Sequence, residues 1–183
     1  MKNYTNSALK NQKLSTGLKF LAPFILFLIL SCGGVRNSSS LESEKDFAKI
    51  SELVDSREFE IENEWLLPLG GSMINLIGNP NYIRFKGDSV NLFLPYFGVR
   101  HSGGAYGRDG GISYEGPAKN LSITKDTAKN NIHLNFEANA DSETLEFFIT
   151  LFQGGSATTF VSSSQRQSIS YRGDVKELPE EKQ

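Results

Sequence analysis

Six side chains suited to binding or catalysis are concentrated in and just before one glycine-rich stretch. Between Gly98 and Gly116, seven of the nineteen residues are glycine, and histidine, arginine and tyrosine lie among them. Tyrosine and arginine suit binding interfaces because they offer large contact areas at low entropic cost, and they also suit stacking on a sugar ring. The candidate binding residues are Tyr96, Phe97, Arg100, His101, Tyr106 and Arg108.

The same stretch also fits a purely structural role. Glycine is favoured where the backbone takes a positive φ or passes close to other atoms, and Asp109-Gly110 is typical of a hairpin turn. A long glycine-rich hairpin that bends a curved sheet is therefore the alternative interpretation. The spacing matches neither a phosphate-binding loop nor a dinucleotide fingerprint.

Residues for catalysis are sparse. His101 has no serine elbow near it, and His133 is predicted on the polar face of a strand, so we expect no Ser-His-acid triad. Two histidines and one cysteine do not supply the ligands of a zinc site. Glu60, Glu62 and Glu64 alternate on one strand and indicate a solvated face. We predict no enzyme, no metal and no cofactor; the enzymatic alternative is a hydrolase with two carboxylates about 5–9 Å apart, which a sequence cannot place.

Residues 1–31 are predicted to be a signal peptide. These residues contain four lysines and no acidic residue. The lysines precede an uncharged run of eleven residues from Phe20 to Leu30. A signal-peptide core needs about 7–15 apolar residues, whereas a membrane-spanning helix needs about 20. The length therefore favours export over a transmembrane anchor, which is the alternative.

The run ends in Ile29-Leu30-Ser31-Cys32, which resembles a bacterial lipobox. The resemblance implies acylation of the Cys32 thiol, cleavage before it, and attachment to a membrane through acyl chains such as palmitate. Residues 32–42 then form the lipidated cysteine and a flexible, small and polar tether. Acidic residues that mark surface export in some Bacteroidota lipoproteins do not follow Cys32. By analogy this favours a periplasm-facing protein of the cell envelope.

The part from Cys32 onward has the composition of a folded acidic domain. It holds 15 basic and 21 acidic residues, a net charge of −6, and the whole chain contains 13 phenylalanines. An acidic balance lacks the basic footprint of a nucleic-acid-binding protein. The single cysteine excludes an intramolecular disulfide.

Periodicity predicts one helix followed by a series of short strands. Phe47, Ile50, Leu53 and Val54 recur at helical spacing within Leu41–Asp55, and Ser43 is placed to cap the helix. From Phe59 onward the period changes to two, with turn signals between short apolar runs. The predicted strands are 59–65, 73–77, 82–85, 90–94, 112–114, 121–125, 132–138, 144–152, 158–163 and 168–175. The fold class is mainly β: an N-terminal helix packed on a curved antiparallel sheet or small barrel, with a lipocalin-like meander as one form.

One predicted strand is apolar on both faces. Within Leu145–Phe152, the residues Phe148 and Phe152 alternate with four other apolar side chains. Such a strand is buried twice, closes a barrel or lines a ligand cavity. We place one β-rich domain at 43–178, followed by a charged tail at 179–183.

The order of several motifs resembles the domain of unknown function 4251 (DUF4251) family of Bacteroidota lipoproteins. The motifs are Asn81-Tyr82, Leu94-Pro95-Tyr96-Phe97-Gly98, Tyr106-Gly107, Ser168-Ile169-Ser170-Tyr171-Arg172-Gly173 and the helix near Phe47, and the resemblance covers about residues 46–178. It implies a compact β-rich envelope domain and brings no activity, ligand or catalytic residue.

The sequence therefore predicts a non-catalytic, lipid-anchored envelope protein that binds a small or apolar ligand, a glycan or a peptide. The alternative is a structural or assembly lipoprotein that contacts another envelope protein through the region from Tyr96 to Tyr114. The membrane, reached through the lipid anchor, is the first expected partner.

Overall fold

The computed structural model describes residues 36–101, 111–140 and 143–179, with side chains from residue 42 onward. This part of the chain contains one helix and ten strands, and the helix is not long and apolar enough to cross a bilayer. The elements are α1 (Arg36–Ser56), β1 (Glu58–Pro68), β2 (Ile74–Asn75), β3 (Tyr82–Lys86), β4 (Ser89–Pro95), β5 (Gly111–Pro117), β6 (Lys119–Asp126), β7 (Asn131–Ala140), β8 (Glu143–Phe152), β9 (Ser156–Ser163) and β10 (Ile169–Glu177).

The strands form one antiparallel sheet that is nearly closed into a barrel. Their order is β5-β4-β3-β1-β10-β9-β8-β7-β6, with the short β2 paired to β1. The two outermost strands, β5 and β6, are consecutive parts of one chain segment that bends at Ala118, whose N–H donates to the Asp88 carbonyl at 2.8 Å. One segment thus pairs with β4 at one end of the sheet and with β7 at the other. The predicted mainly β fold is confirmed.

A β-bulge in β1 bends the sheet where it meets β10. The register shifts between Asn63 and Trp65, opposite Gly173. A Cβ at Gly173 would lie 1.9 Å from the Glu62 carbonyl oxygen, so the two backbones approach more closely than any side chain allows. A bulge increases local twist and curvature, which a closing sheet requires.

Side chains fill the interior of the barrel. Four phenylalanine rings form a chain of contacts across it: Phe59 stacks on Phe85 at 4.7 Å, Phe85 meets Phe136 edge-on at 5.4 Å, and Phe136 stacks on Phe147 at 4.5 Å. Because β3 and β7 are far apart in the sheet order, the contact between Phe85 and Phe136 crosses the interior. The four rings are all buried.

Strand β8 has one buried and one exposed face. Leu145, Phe147, Ile149 and Leu151 point into the barrel and are buried, whereas Phe148 and Phe152 lie on the outer face, 45% and 41% exposed. The strand is therefore not buried twice, and its second apolar face does not line an internal cavity.

Helix α1 packs on one end of the barrel, called here the helix end. Ile50 and Val54 are buried against the strands, and the Asp55 carboxylate pairs with Lys125 at 2.6 Å. The helix begins at Arg36 rather than Leu41, so part of the predicted tether is helical. The predicted cap at Ser43 is wrong for the same reason. Instead, its hydroxyl hydrogen-bonds the Gln153 side chain.

Two further expectations need correction. Met73–Ile77 forms only the two-residue β2, because a turn at Gly70 and another at Gly78, both with positive φ, bound the segment closely. Glu60 is buried rather than solvated, because Arg84 and Lys176 on the neighbouring strands cover its carboxylate.

Candidate functional site

Four of the six predicted binding residues lie at the end of the barrel opposite α1, called here the loop end. Tyr96, Phe97, Arg100 and His101 follow β4 there. The connection from β9 to β10 and the start of β8 meet them. Tyr106 and Arg108 lie outside the described residues, as does Cys32.

Tyr96 supports the local fold rather than offering a binding surface. The side chain is buried, and its hydroxyl lies 2.8 Å from the Val99 carbonyl and 3.0 Å from the Gln167 carbonyl. Burial raises the pKa of its hydroxyl, although the nearby Arg166 charge opposes this. A Cβ at Gly98 would lie 2.5 Å from the same hydroxyl oxygen, so the tyrosine occupies the space of a side chain at Gly98.

A buried carboxylate organises the loop end. Glu143 is 4% exposed and accepts hydrogen bonds from Nε of Arg166 at 2.8 Å and from Nη2 at 2.9 Å. Ser163 donates a further hydrogen bond, and Nη2 of Arg100 lies 3.5 Å away. We call these four residues the Glu143 clamp. Burial alone would raise the pKa of Glu143, but the hydrogen bonds from Arg166 and Ser163 and the two guanidinium charges lower it overall.

The clamp fixes both ends of the segment between His101 and Gly111. Nη1 of Arg166 donates to the Gly111 carbonyl at 2.8 Å. On the other side, the His101 N–H donates to the Gln165 carbonyl at 2.8 Å, and the Gln167 N–H donates to Val99 at 2.9 Å. Arg100 is therefore a clamp residue and not a free binding residue. Glu143 and Arg166 were missed by the sequence analysis because they lie more than forty positions from Arg100.

Neither histidine side chain belongs to the Glu143 clamp. His101 is exposed, and Nδ1 of His133 lies 3.1 Å from the Thr150 hydroxyl on the outer face of the sheet. Among the described residues, no group of three His, Cys, Asp or Glu side chains is arranged to hold a metal ion.

Phe97 is the described candidate whose side chain offers an exposed apolar surface. Its ring is 56% exposed and lines a groove of about 300 Å³ between β2 and the end of β4. The groove is lined by Ile74, Asn75, Leu76, Asn79, Pro80, Phe93, Pro95 and Phe97. Four more exposed apolar side chains come from the same two segments, namely Leu69, Met73, Ile77 and Val99. We call the groove and these four residues the Phe97 surface.

Two uncharged runs in the sequence correspond to this surface. The nineteen residues between Glu64 and Arg84 contain no charged side chain, nor do the eleven between Asp88 and Arg100. These two runs supply every residue of the Phe97 surface. The alternation within each run predicts strands but does not show which apolar side chains stay exposed.

Comparison with known proteins gives the family. The family model described as domain of unknown function (DUF4251) matches residues 41–175, which include most of α1 and nearly all of the sheet. The chain belongs to the DUF4251 family. The predicted resemblance is thereby confirmed. None of the curated proteins matches the chain.

A solved DUF4251 structure shares the fold. The crystal structure of a DUF4251 family protein from Bacteroides eggerthii DSM 20697 aligns with a TM-score of 0.57 and 16% sequence identity. The alignment covers 72% of this chain and 87% of that chain. At this identity the likeness concerns the fold of the DUF4251 domain.

Proposed function

We propose that this DUF4251 protein is a lipid-anchored protein of the bacterial cell envelope that binds another protein, without catalysis, through the Phe97 surface. The observation that carries the proposal is an uncharged groove lined by two chain segments that also expose large apolar side chains. Leu69, Met73, Ile77, Phe97 and Val99 are each more than half exposed. Contiguous exposed apolar surface on a folded domain commonly marks an interaction site.

The composition of the surface fits a protein partner. The centres of protein interfaces are depleted of charged residues and enriched in aromatic and methionine side chains. Met73, Phe93 and Phe97 belong to uncharged runs, and Arg100 and His101 follow at the border. A charged rim around an apolar centre is the usual anatomy of such an interface.

The interior of the barrel gives less support to a small apolar ligand. The ring chain from Phe59 to Phe147 occupies the middle of the barrel. A ligand there would have to displace buried side chains, and large rearrangements of a packed core are costly. The buried Glu143 carboxylate at the loop end is also occupied within the fold, because Arg166 and Ser163 donate hydrogen bonds to it.

Site-directed photo-crosslinking in the living host tests this function. We expect a crosslinking amino acid at Ile77 or Val99 to give one discrete protein adduct, and the same residue at exposed Lys129, on the β6–β7 turn, to give none. Phe97→Asp should abolish the adduct formed from Ile77. The same adducts at all three positions, or none at Ile77 and Val99, would refute the proposal.

A second candidate function, glycan binding, is favoured by an aromatic pair on the outer face of the sheet. Phe148 and Phe160 are cross-strand partners with ring centroids 6.1 Å apart, and they are 45% and 40% exposed. Asn135 and Ser170 are their next partners along the sheet. A glycan array would test this candidate: binding that Phe148→Asp removes would support it, and the absence of binding would exclude it.

A further inference from the structure

A larger groove lies at the helix end, between α1 and the last strand. Its volume is about 1060 Å³, at the upper limit of small-molecule pockets, which span about 300–1,000 Å³. Ile50 and Leu53 of α1 line one side, and Val175 and Leu178 line the other. The apolar part of the lining, called here the floor, is therefore built from both the helix and the sheet.

The groove exists because α1 is attached to the barrel along its other side. The Ser43 hydroxyl contacts the side chains of Gln153 and Asn130, and Asp55 pairs with Lys125. These polar contacts hold the helix toward the turns that follow β6 and β8. The space between the helix and the C-terminal part of β10 is left open.

Carboxylates surround this apolar floor. Asp46, Glu52, Glu58 and Glu177 line the groove together with two lysines, Lys49 and Lys176. Within the described part of the chain, none of the four carboxylates forms an ion pair. Lys176 is already paired with other carboxylates, because its ammonium group contacts Glu60 at 3.2 Å and also pairs with Glu62. The groove therefore presents an excess of negative charge.

We propose that this groove binds a basic amphipathic segment of a partner protein. Apolar side chains of the segment would lie on the floor formed by Leu53 and Val175, and its lysines or arginines would meet the surrounding carboxylates. Amphipathic helices bind apolar grooves in this manner, and complementary charge selects among them. The site is distinct from the Phe97 surface in both position and chemistry, so this inference extends beyond the proposed function.

Fluorescence anisotropy with a labelled model peptide tests the inference. The protein is the mature chain without lipid, residues 33–183, because residues 40–183 form one compact unit. The probe is a helical peptide of about 18 leucine and lysine residues, and its counterpart carries glutamate in place of lysine. We expect saturable binding of the lysine peptide alone, weakened when salt rises from about 50 to 300 mM.

A charge-matched pair of variants shows whether the groove is responsible. Glu52→Lys combined with Glu177→Lys should weaken binding at least about tenfold. Glu64→Lys combined with Glu115→Lys makes the same change in net charge at exposed positions outside the groove, and should leave affinity within about twofold. Equal losses in the two variants would overturn the proposal, as would no saturable binding. Spermine binding as tightly as the peptide would also overturn it, in favour of a simple cation site.

Discussion

The guanidinium group of Arg166 donates three hydrogen bonds of 2.8, 2.9 and 3.0 Å to the carboxylate of Glu143. Both side chains are largely buried, at 11% and 4% exposure. A buried ion pair is costly to break by removing one partner, because the other charge then lies in the protein without compensation. The pair therefore controls the stability of the whole loop end.

Glu143→Gln should lower the free energy of unfolding by about 3–5 kcal/mol, because Arg166 keeps its charge and loses its partner. Urea unfolding measures this change. Asp88→Asn is the matched control, since Asp88 is 88% exposed and pairs with Arg57 at 3.3 Å, and it should change stability by no more than about 1 kcal/mol. Similar small losses in both variants would show that the clamp does not stabilise the fold.

Stability should fall in acid because the folded state lowers the pKa of Glu143. A carboxyl with a lowered folded pKa contributes stability above its unfolded pKa, about 4.3, and this contribution is lost as pH falls through the folded pKa. Thermal unfolding from pH 6 to pH 2.5 should therefore show the wild type converging on Glu143→Gln below about pH 4. A constant difference between the two proteins across this range would contradict the assigned shift.

Three glycine-to-alanine variants should form a graded series. Gly173→Ala should be the most destabilising, by more than about 3 kcal/mol, because the new Cβ would meet rigid backbone of β1. Gly98→Ala should cost about 1–3 kcal/mol, because the Tyr96 hydroxyl can move only by giving up its hydrogen bonds. Gly154→Ala is the control and should be nearly neutral, because a Cβ added at Gly154 would have no atom within 4 Å apart from those of its chain neighbours. Any other order in thermal melts would contradict the packing described here.

Phe147 and Phe148 are neighbours in sequence, but replacing each by alanine should change the free energy of unfolding by very different amounts. Phe147→Ala removes a buried ring that stacks on Phe136 and should cost about 3–5 kcal/mol. Phe148→Ala acts on the outer face and should cost less than about 1 kcal/mol. Chemical denaturation of the two variants checks the register of β8, and equal losses would mean that the two faces are assigned wrongly.

Cys32→Ser should release the protein from membranes, because the proposed acyl chains attach at that thiol. Fractionation of cells that express the variant and the wild type measures this directly. Ser40→Ala, in the predicted tether, should stay with the membrane fraction. Retention of Cys32→Ser in that fraction would exclude lipid anchoring at this residue.

The strands could be predicted from sequence because alternation is a local property. Phe59 and Ile61 alternate with glutamates in β1, and nine of the predicted strands correspond to observed ones. The helix was also predicted, although its start at Arg36 was not, because the residues before Leu41 have no apolar periodicity.

The organisation of the loop end could not be predicted because it depends on pairing between distant segments. Nothing near Arg100 in the sequence points to Glu143, and β7 through β10 bring the two together. Glu60 shows the same limit: it lies among alternating glutamates, and only the neighbouring Arg84 and Lys176 make it buried. Exposure of Phe97 likewise depends on pairing, because β3 begins at Tyr82, opposite Phe93, and does not extend along the end of β4.

The pairing of β1 with β10 has a consequence for how the chain matures. Phe59 pairs with Glu177, so the neighbour of β1 on this side does not exist until almost the last residue of the domain has been made. A chain that emerges from a ribosome or a membrane pore with its N-terminus first cannot complete this sheet until the whole domain has emerged. Contacts of such long sequence separation also form slowly. The topology itself therefore delays completion of the sheet until β10 has emerged.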